Sequence, residues 1–181
     1  MLLQVDITLV LDMVRLETDA AAVIMFLSVV IVYMLIGPNS LKSNNSGLNN
    51  VAIGACALYG NTFGARNIGI GQKALVTNTT GCDNVALGGY GLYGNITGNS
   101  NFAVGFLSLY ANTSGSNNTA IGCCALRCNT VGNSNVAIGF CALFGNKTGC
   151  YNIALGAQAI RDNIYGSNNF AAGYTALAAN T

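Results

Sequence analysis

The chain contains no histidine, no tryptophan and a single proline, Pro38. Only 7% of its 181 residues are charged, against about 25% in an average soluble domain. Each scarcity removes a class of function. Without histidine there is no imidazole general base and no mixed Cys/His zinc site. Seven basic residues scattered from Arg15 to Arg161 make no stripe able to displace counterions, so no nucleic-acid partner is expected. Acid–base groups are equally thin: beyond residue 45 the only carboxylates are Asp83 and Asp162, too far apart to act as a pair. The glycines of "GIGQKA" (69–74) lack the further glycine and the strand-to-helix setting of a phosphate loop. We therefore expect no enzyme, no catalytic residue, no metal and no cofactor.

What is abundant is small and apolar: 52% hydrophobic residues and 23 glycines. A surface so poor in charge is sparingly soluble alone, which predicts burial against other copies of the chain. The seven cysteines, Cys56, Cys82, Cys123, Cys124, Cys128, Cys141 and Cys150, include no CxxC pair. An all-thiolate site from "CCALRC" and Cys141 is conceivable, but cysteine as a compact apolar filler accounts for them.

The phrase "NNVAIGACALYGNTFG" (49–64) returns as "NTAIGCCALRCNTVG" and "SNVAIGFCALFGNKTG", and the returns are strictly spaced. Gly54, Gly71, Gly88, Gly105, Gly122, Gly139, Gly156 and Gly173 follow one another at 17 residues, and so do Gly47, Gly64, Gly81, Gly98, Gly115, Gly132, Gly149 and Gly166. One asparagine series is Asn50, Asn67, Asn84, Asn101, Asn118, Asn135, Asn152 and Asn169, and a second runs from Asn61 to Asn180. A helical repeat needs a unit about twice as long, and two fixed glycines per unit would weaken any helix. Seventeen residues fit one coil of two short strands and two turns, so the chain is expected to be an all-β solenoid.

Strand alternation divides "VAI" between two faces. The bulky third residue (Ile53, Ile70, Leu87 and so on) is expected to fill the coil interior, and the small second residue to meet something close on the other face. A second strand carries the internal stack Leu58, Leu75, Leu92, Leu109, Leu126, Leu143, Ile160 and Leu177. The "GNT-G" segment closes the coil, with Asn and Gly supplying positive φ and stacked asparagine amides bonding along the axis. Eight coils at ~4.8 Å make a rod of roughly 40 Å.

With "NVAIG", the small-apolar "AL" and the glycine-closed turn repeated through residues 46–181, the chain resembles the head repeats of YadA-like trimeric autotransporter adhesins and related fibre proteins of phages and large DNA viruses. The resemblance implies a left-handed parallel β-roll and a homotrimer packed about a threefold axis. It casts Ala52, Ala86, Ala103, Ala120, Ala137, Ala154 and Ala171 as the residues of close contact there. It also implies a structural or adhesive role at a virion or cell surface, toward a host glycan or protein receptor. Three departures stand out: a longer repeat unit than the usual bacterial one, no coiled-coil stalk, and no membrane barrel after the final "AANT". They fit a viral or phage fibre component, or a truncated frame, better than an autotransporter.

Before the repeats, residues 1–19 have the apolar stripe of an amphipathic helix at Leu3, Ile7, Val10 and Val14. Residues 20–37 carry no charge over 18 positions, enough for a single membrane-spanning helix or for a buried apolar segment at the base of the roll. Residues 38–45 read as a linker and 46–181 as the repeat domain. Two columns vary from coil to coil and are candidate ligand contacts, or chain-to-chain packing. One contains Phe106, Phe140 and Tyr174; the other contains Tyr59, Tyr93, Tyr110 and Phe144. Recurrent Asn-Thr leaves an ice-binding solenoid as the alternative function. The six sequons, at Asn44, Asn78, Asn95, Asn112, Asn117 and Asn146, are read as by-products of the repeat.

Overall fold

The structure, a computed structural model, describes residues 24–25 and 34–179. Its ten strands lie in chain order in one sheet. They are β1 (Ile24–Met25), β2 (Met34–Ile36), β3 (Val51–Ile53), β4 (Ile68–Ile70), β5 (Val85–Leu87), β6 (Phe102–Val104), β7 (Thr119–Ile121), β8 (Val136–Ile138), β9 (Ile153–Leu155) and β10 (Phe170–Ala172). From β2 onward every neighbour is parallel and in register at the repeat distance, as in Val51↔Ile68, Ala52↔Gly69 and Ile53↔Ile70. The chain is thus a parallel β-solenoid of about eight turns, each three-residue strand continuing the sheet one coil further on.

Which face is inside reverses the sequence expectation. The alanines Ala52, Ala86, Ala103, Ala120, Ala137 and Ala154 are fully buried, together with Leu58, Leu75, Leu92, Leu109, Leu126, Leu143 and Ile160. The bulky third residues point outward, Ile70 and Ile138 being 37% and 40% exposed. Space decides this. A Cβ built on Gly69 would already lie 3.4 Å from Leu58 Cγ and 3.3 Å from Ala74 O, so a methyl fits opposite the leucine column and nothing branched does. The alanine is consumed inside its own coil and is closed to contact with another chain.

The leucine column, expected in a second strand, stands in a turn. Each leucine has positive φ, 51° at Leu58 and 50° at Leu109. For a non-glycine residue that conformation costs about 1–2 kcal/mol. Complete burial of the side chain, worth about 1.5–3 kcal/mol, offsets it. The turn backbone is also laddered: Leu58 N–H donates to Ala74 O at 2.9 Å and Leu75 N–H to Gly91 O at 3.0 Å. Two further non-glycine residues per coil, such as Cys56 (58°) and Arg66 (58°), are left-handed as well. Positive φ is therefore not supplied by the asparagine and glycine of the closing segment.

The solenoid starts before residue 46. β2 pairs with β3, Gly37 repeats the positive φ of Gly54, Leu41 is buried, and Asn61 Nδ2 donates to Asn44 Oδ1 at 2.7 Å. Residues 38–45 are thus the turn of a first coil and not a linker. Within 20–37, Ile24–Met25 and Met34–Ile36 are strand, not helix: β1 runs antiparallel to β2, with Ile24 opposite Leu35. The rest of that stretch, and residues 1–19, lie outside the described residues. No helix among the described residues is long and apolar enough to cross a membrane.

The inward alanine and outward isoleucine make opposite demands on substitution. Ala120→Leu forces an isobutyl group into a filled interior and should cost about 1–3 kcal/mol or more. Ile121→Ser, one residue on and facing outward, should change the stability of a single chain far less. Denaturant melts of the two variants give the comparison, and equal losses would restore the opposite assignment of faces.

Candidate binding surfaces

The residues that repeat without change are structural. From Asn50 to Asn163 both asparagine columns are buried, and in each of these coils they meet on one glycine carbonyl. Gly64 O accepts from Asn50 Nδ2 and from Asn61 Nδ2, each at 2.8 Å, and Gly132 O accepts from Asn118 and Asn129 at 2.8 and 3.0 Å. Each amide also bonds along the axis: Asn118 Nδ2 donates to Asn101 Oδ1 at 3.1 Å, while Asn118 Oδ1 accepts Asn135 N–H at 3.0 Å. The Gly64 series is glycine for room, because a Cβ there would collide with the next coil's glycine carbonyl and with Asn61 Oδ1. The Gly54 series needs both room and conformation, with φ +125° and a Cβ 2.7 Å from Gly71 C and O. Four sequon asparagines, Asn78, Asn95, Asn112 and Asn146, belong to the buried ladder and are closed to glycosylation in the folded chain.

The threonines of the closing turn are committed too. Thr62 Oγ1 donates to Thr79 O at 2.9 Å, and Thr113 Oγ1 to Thr130 O at 3.0 Å. Their hydroxyl protons serve the backbone of the next coil and not a free outer array.

The variable columns make an edge of rings and cations in the turn after the strand. Tyr93 and Tyr110 stack at 5.0 Å between ring centres, 15° from parallel. Tyr90 joins them, 5.8 Å from Tyr93 and edge-on to Phe106 at 5.9 Å. The Arg127 guanidinium lies between Tyr110 (5.8 Å) and Phe144 (5.6 Å). Lys42 sits over Tyr59, and Lys73 over Tyr90, each at 5.6 Å. Of the candidate contacts, Tyr59, Tyr93, Tyr110 and Phe144 share this edge with Phe106, while Phe140 and Tyr174 stand exposed without joining it. The sequence reading missed Tyr90, Lys42, Lys73 and Arg127 as members. The signal was present: Lys42 and Arg127 fall in the Tyr59 column at the repeat spacing, and Lys73 and Tyr90 are one coil apart in the column three residues earlier.

The two described carboxylates are already engaged. Arg66 grips Asp83 with two bonds, 2.6 and 2.8 Å, across one coil, and Arg161 grips Asp162 at 2.9 and 2.7 Å. Each guanidinium holds its carboxyl below the usual range. All four groups are exposed, so these pairs add little stability. Among the described residues Lys42, Lys73, Arg127 and Lys147 have no carboxylate partner. Three thiols gather nearby: Cys123 Sγ lies 3.6 Å from Cys124 Sγ, and Cys141 stands one coil beyond Cys124. Burial, with Cys123 adjacent, pushes the Cys124 thiol up to about 11.

Comparison with known protein families, curated proteins and solved structures returns no match to this chain.

Two outcomes are expected. Asn118→Ala removes four buried side-chain hydrogen bonds and leaves the Asn135 N–H without its acceptor, an orphaned donor that alone costs about 1–3 kcal/mol, so it should lose at least about 2 kcal/mol in a denaturant melt. Asn45→Ala, at the surface, should stay within about 0.5 kcal/mol. At pH 7 the Cys124 thiol is almost wholly protonated, so iodoacetamide should label it slowly in the folded chain and far faster in urea, as mass spectrometry of the peptides can show.

Proposed function

We propose that the chain is a structural and adhesive fibre unit: a stiff solenoid that assembles as a homotrimer and displays its outer turns to a host cell or other surface. The observation that carries this reading is the outward face of the sheet. Its two columns are Val51, Ile68, Val85, Phe102, Thr119 and so on, and Ile53, Ile70, Leu87, Val104, Ile121 and so on; Thr119 carries the one hydroxyl on it. Three residues by eight coils cover about 10 Å by 40 Å, some 400 Å². That is the size at which an exposed apolar patch marks an interaction site. The in-register repeat of the patch favours an identical partner, since a second copy presents the same columns at the same spacing.

The left-handed winding, the threefold assembly and the placing at a virion or cell surface follow from the resemblance to YadA-like head repeats and viral fibres, and belong to the proposal. So does a membrane anchor through residues 20–37. The unvarying positions support display over catalysis, because each is spent on closing and stacking the coils. Ice binding is the weaker reading, since the Thr62 and Thr113 hydroxyl protons are bound to backbone carbonyls.

Light-scattering mass of the full chain in solution should correspond to three protomers. Val104→Lys combined with Ile121→Lys places two charges on the proposed contact and should yield monomers with an unchanged far-ultraviolet β signal. A monodisperse wild-type monomer would overturn the assembly.

A further inference from the structure

We propose that the edge formed by Tyr59, Tyr90, Tyr93, Phe106, Tyr110 and Arg127 binds a linear acidic glycan, with sugar rings against the exposed rings of Tyr59 and Phe106 and carboxylate or sulfate groups on Lys42, Lys73 and Arg127. This deepens the display reading and rests on it for the biological setting alone; the chemistry is carried by the edge itself.

The first argument is that the fold does not require these side chains. Alanine, leucine, asparagine and glycine hold every coil together, while the Tyr59 column changes freely to Val76, Arg127, Arg161 and Ala178. The second is charge. Asp83 and Asp162 are taken by Arg66 and Arg161, so Lys42, Lys73 and Arg127 meet ring faces and have no counter-charge among the described residues. The third is how Arg127 is held. Its guanidinium lies between two rings, and its Nε is buried with no hydrogen-bond partner. Its terminal amino groups can offer a planar fork to a carboxylate or sulfate. Poor solvation on the buried side strengthens the pull on an anion at the open side.

Spacing selects the polymer. Lys42 and Lys73 are two coils apart and Lys73 and Arg127 three, about 10 and 14 Å at the sheet repeat. A nucleic-acid strand carries a phosphate every ~3.4 Å and would leave most of its charge unmatched. A glycan sets its charges apart by neutral rings, and those rings have apolar faces to lay on Tyr59, 37% exposed, and Phe106, 51% exposed.

The test uses the full chain against immobilised heparin, with neutral dextran and a single-stranded oligonucleotide as alternatives. Heparin should bind, more weakly as salt rises, and dextran should not. Arg127→Gln, and separately Lys42→Gln with Lys73→Gln, should each weaken heparin binding about tenfold, the loss of a charge-assisted contact. Lys147→Gln, a cation off this edge, should leave it unchanged. The double lysine variant touches exposed ammonium groups and keeps the test valid if Arg127→Gln destabilises the turn, which thermal melting will report. Absence of heparin binding, an equal loss with Lys147→Gln, or tighter binding of the oligonucleotide would each overturn the proposal. A trimer that ignores heparin sinks the glycan and leaves the fibre standing; a monomer that binds heparin does the reverse.

Discussion

The solenoid depends on a glycine carbonyl that accepts two asparagine amides at once. In the seven coils from Asn50 to Asn163, one asparagine reaches it from beside the strand and another from the closing turn, so two distant points of the coil are tied to a single oxygen. The same amides bond to the coils above and below, which makes ring closure and stacking one network. Buried amides left unpaired are costly; fully paired, they specify a single register. The repeat is held at 17 residues without insertion because an added residue would break both asparagine columns together.

That network fixes the width of the coil, and the width explains the packing. The interior takes one leucine and the small residue before it from the turn, as Ala57 and Leu58, and one alanine from the strand, with little room to spare around Gly69. Placing the leucine there forces its backbone into a left-handed conformation, which burial and the rung-to-rung hydrogen bond of its amide sustain. The strand's bulky residues are left outside, and the apolar sheet face is thus a consequence of how narrow the core is. A chain so built has an interior that is self-sufficient and a face that is not, and this is the physical ground for reading it as a unit of assembly.

The outer turn is where the sequence is free. The tyrosines, Arg127 and the lysines lie in columns the network does not dictate, and the coil spacing brings them into contact by stacking alone. Side chains distant in sequence become a continuous strip because each coil repeats the last.

From the amino-acid sequence by itself came the period, the all-β solenoid, the buried leucine column, the asparagine stacks and the scarcity of acid–base chemistry. All of these are visible as fixed spacings or as counts. Only the tertiary structure decided which face of "VAI" is inside, because alternation separates two faces without ranking them and the ranking depends on a leucine donated by another part of the coil. It also decided that Leu58 stands in a left-handed turn, that Gly64 is glycine for space and not for φ, and that residues 34–45 already form a coil although Ser40 and Lys42 hide the pattern. The cation–ring edge needed it too: contact between Arg127, Tyr110 and Phe144 is a matter of neighbouring coils at one sheet spacing, which a linear reading registers only as a column of unlike letters.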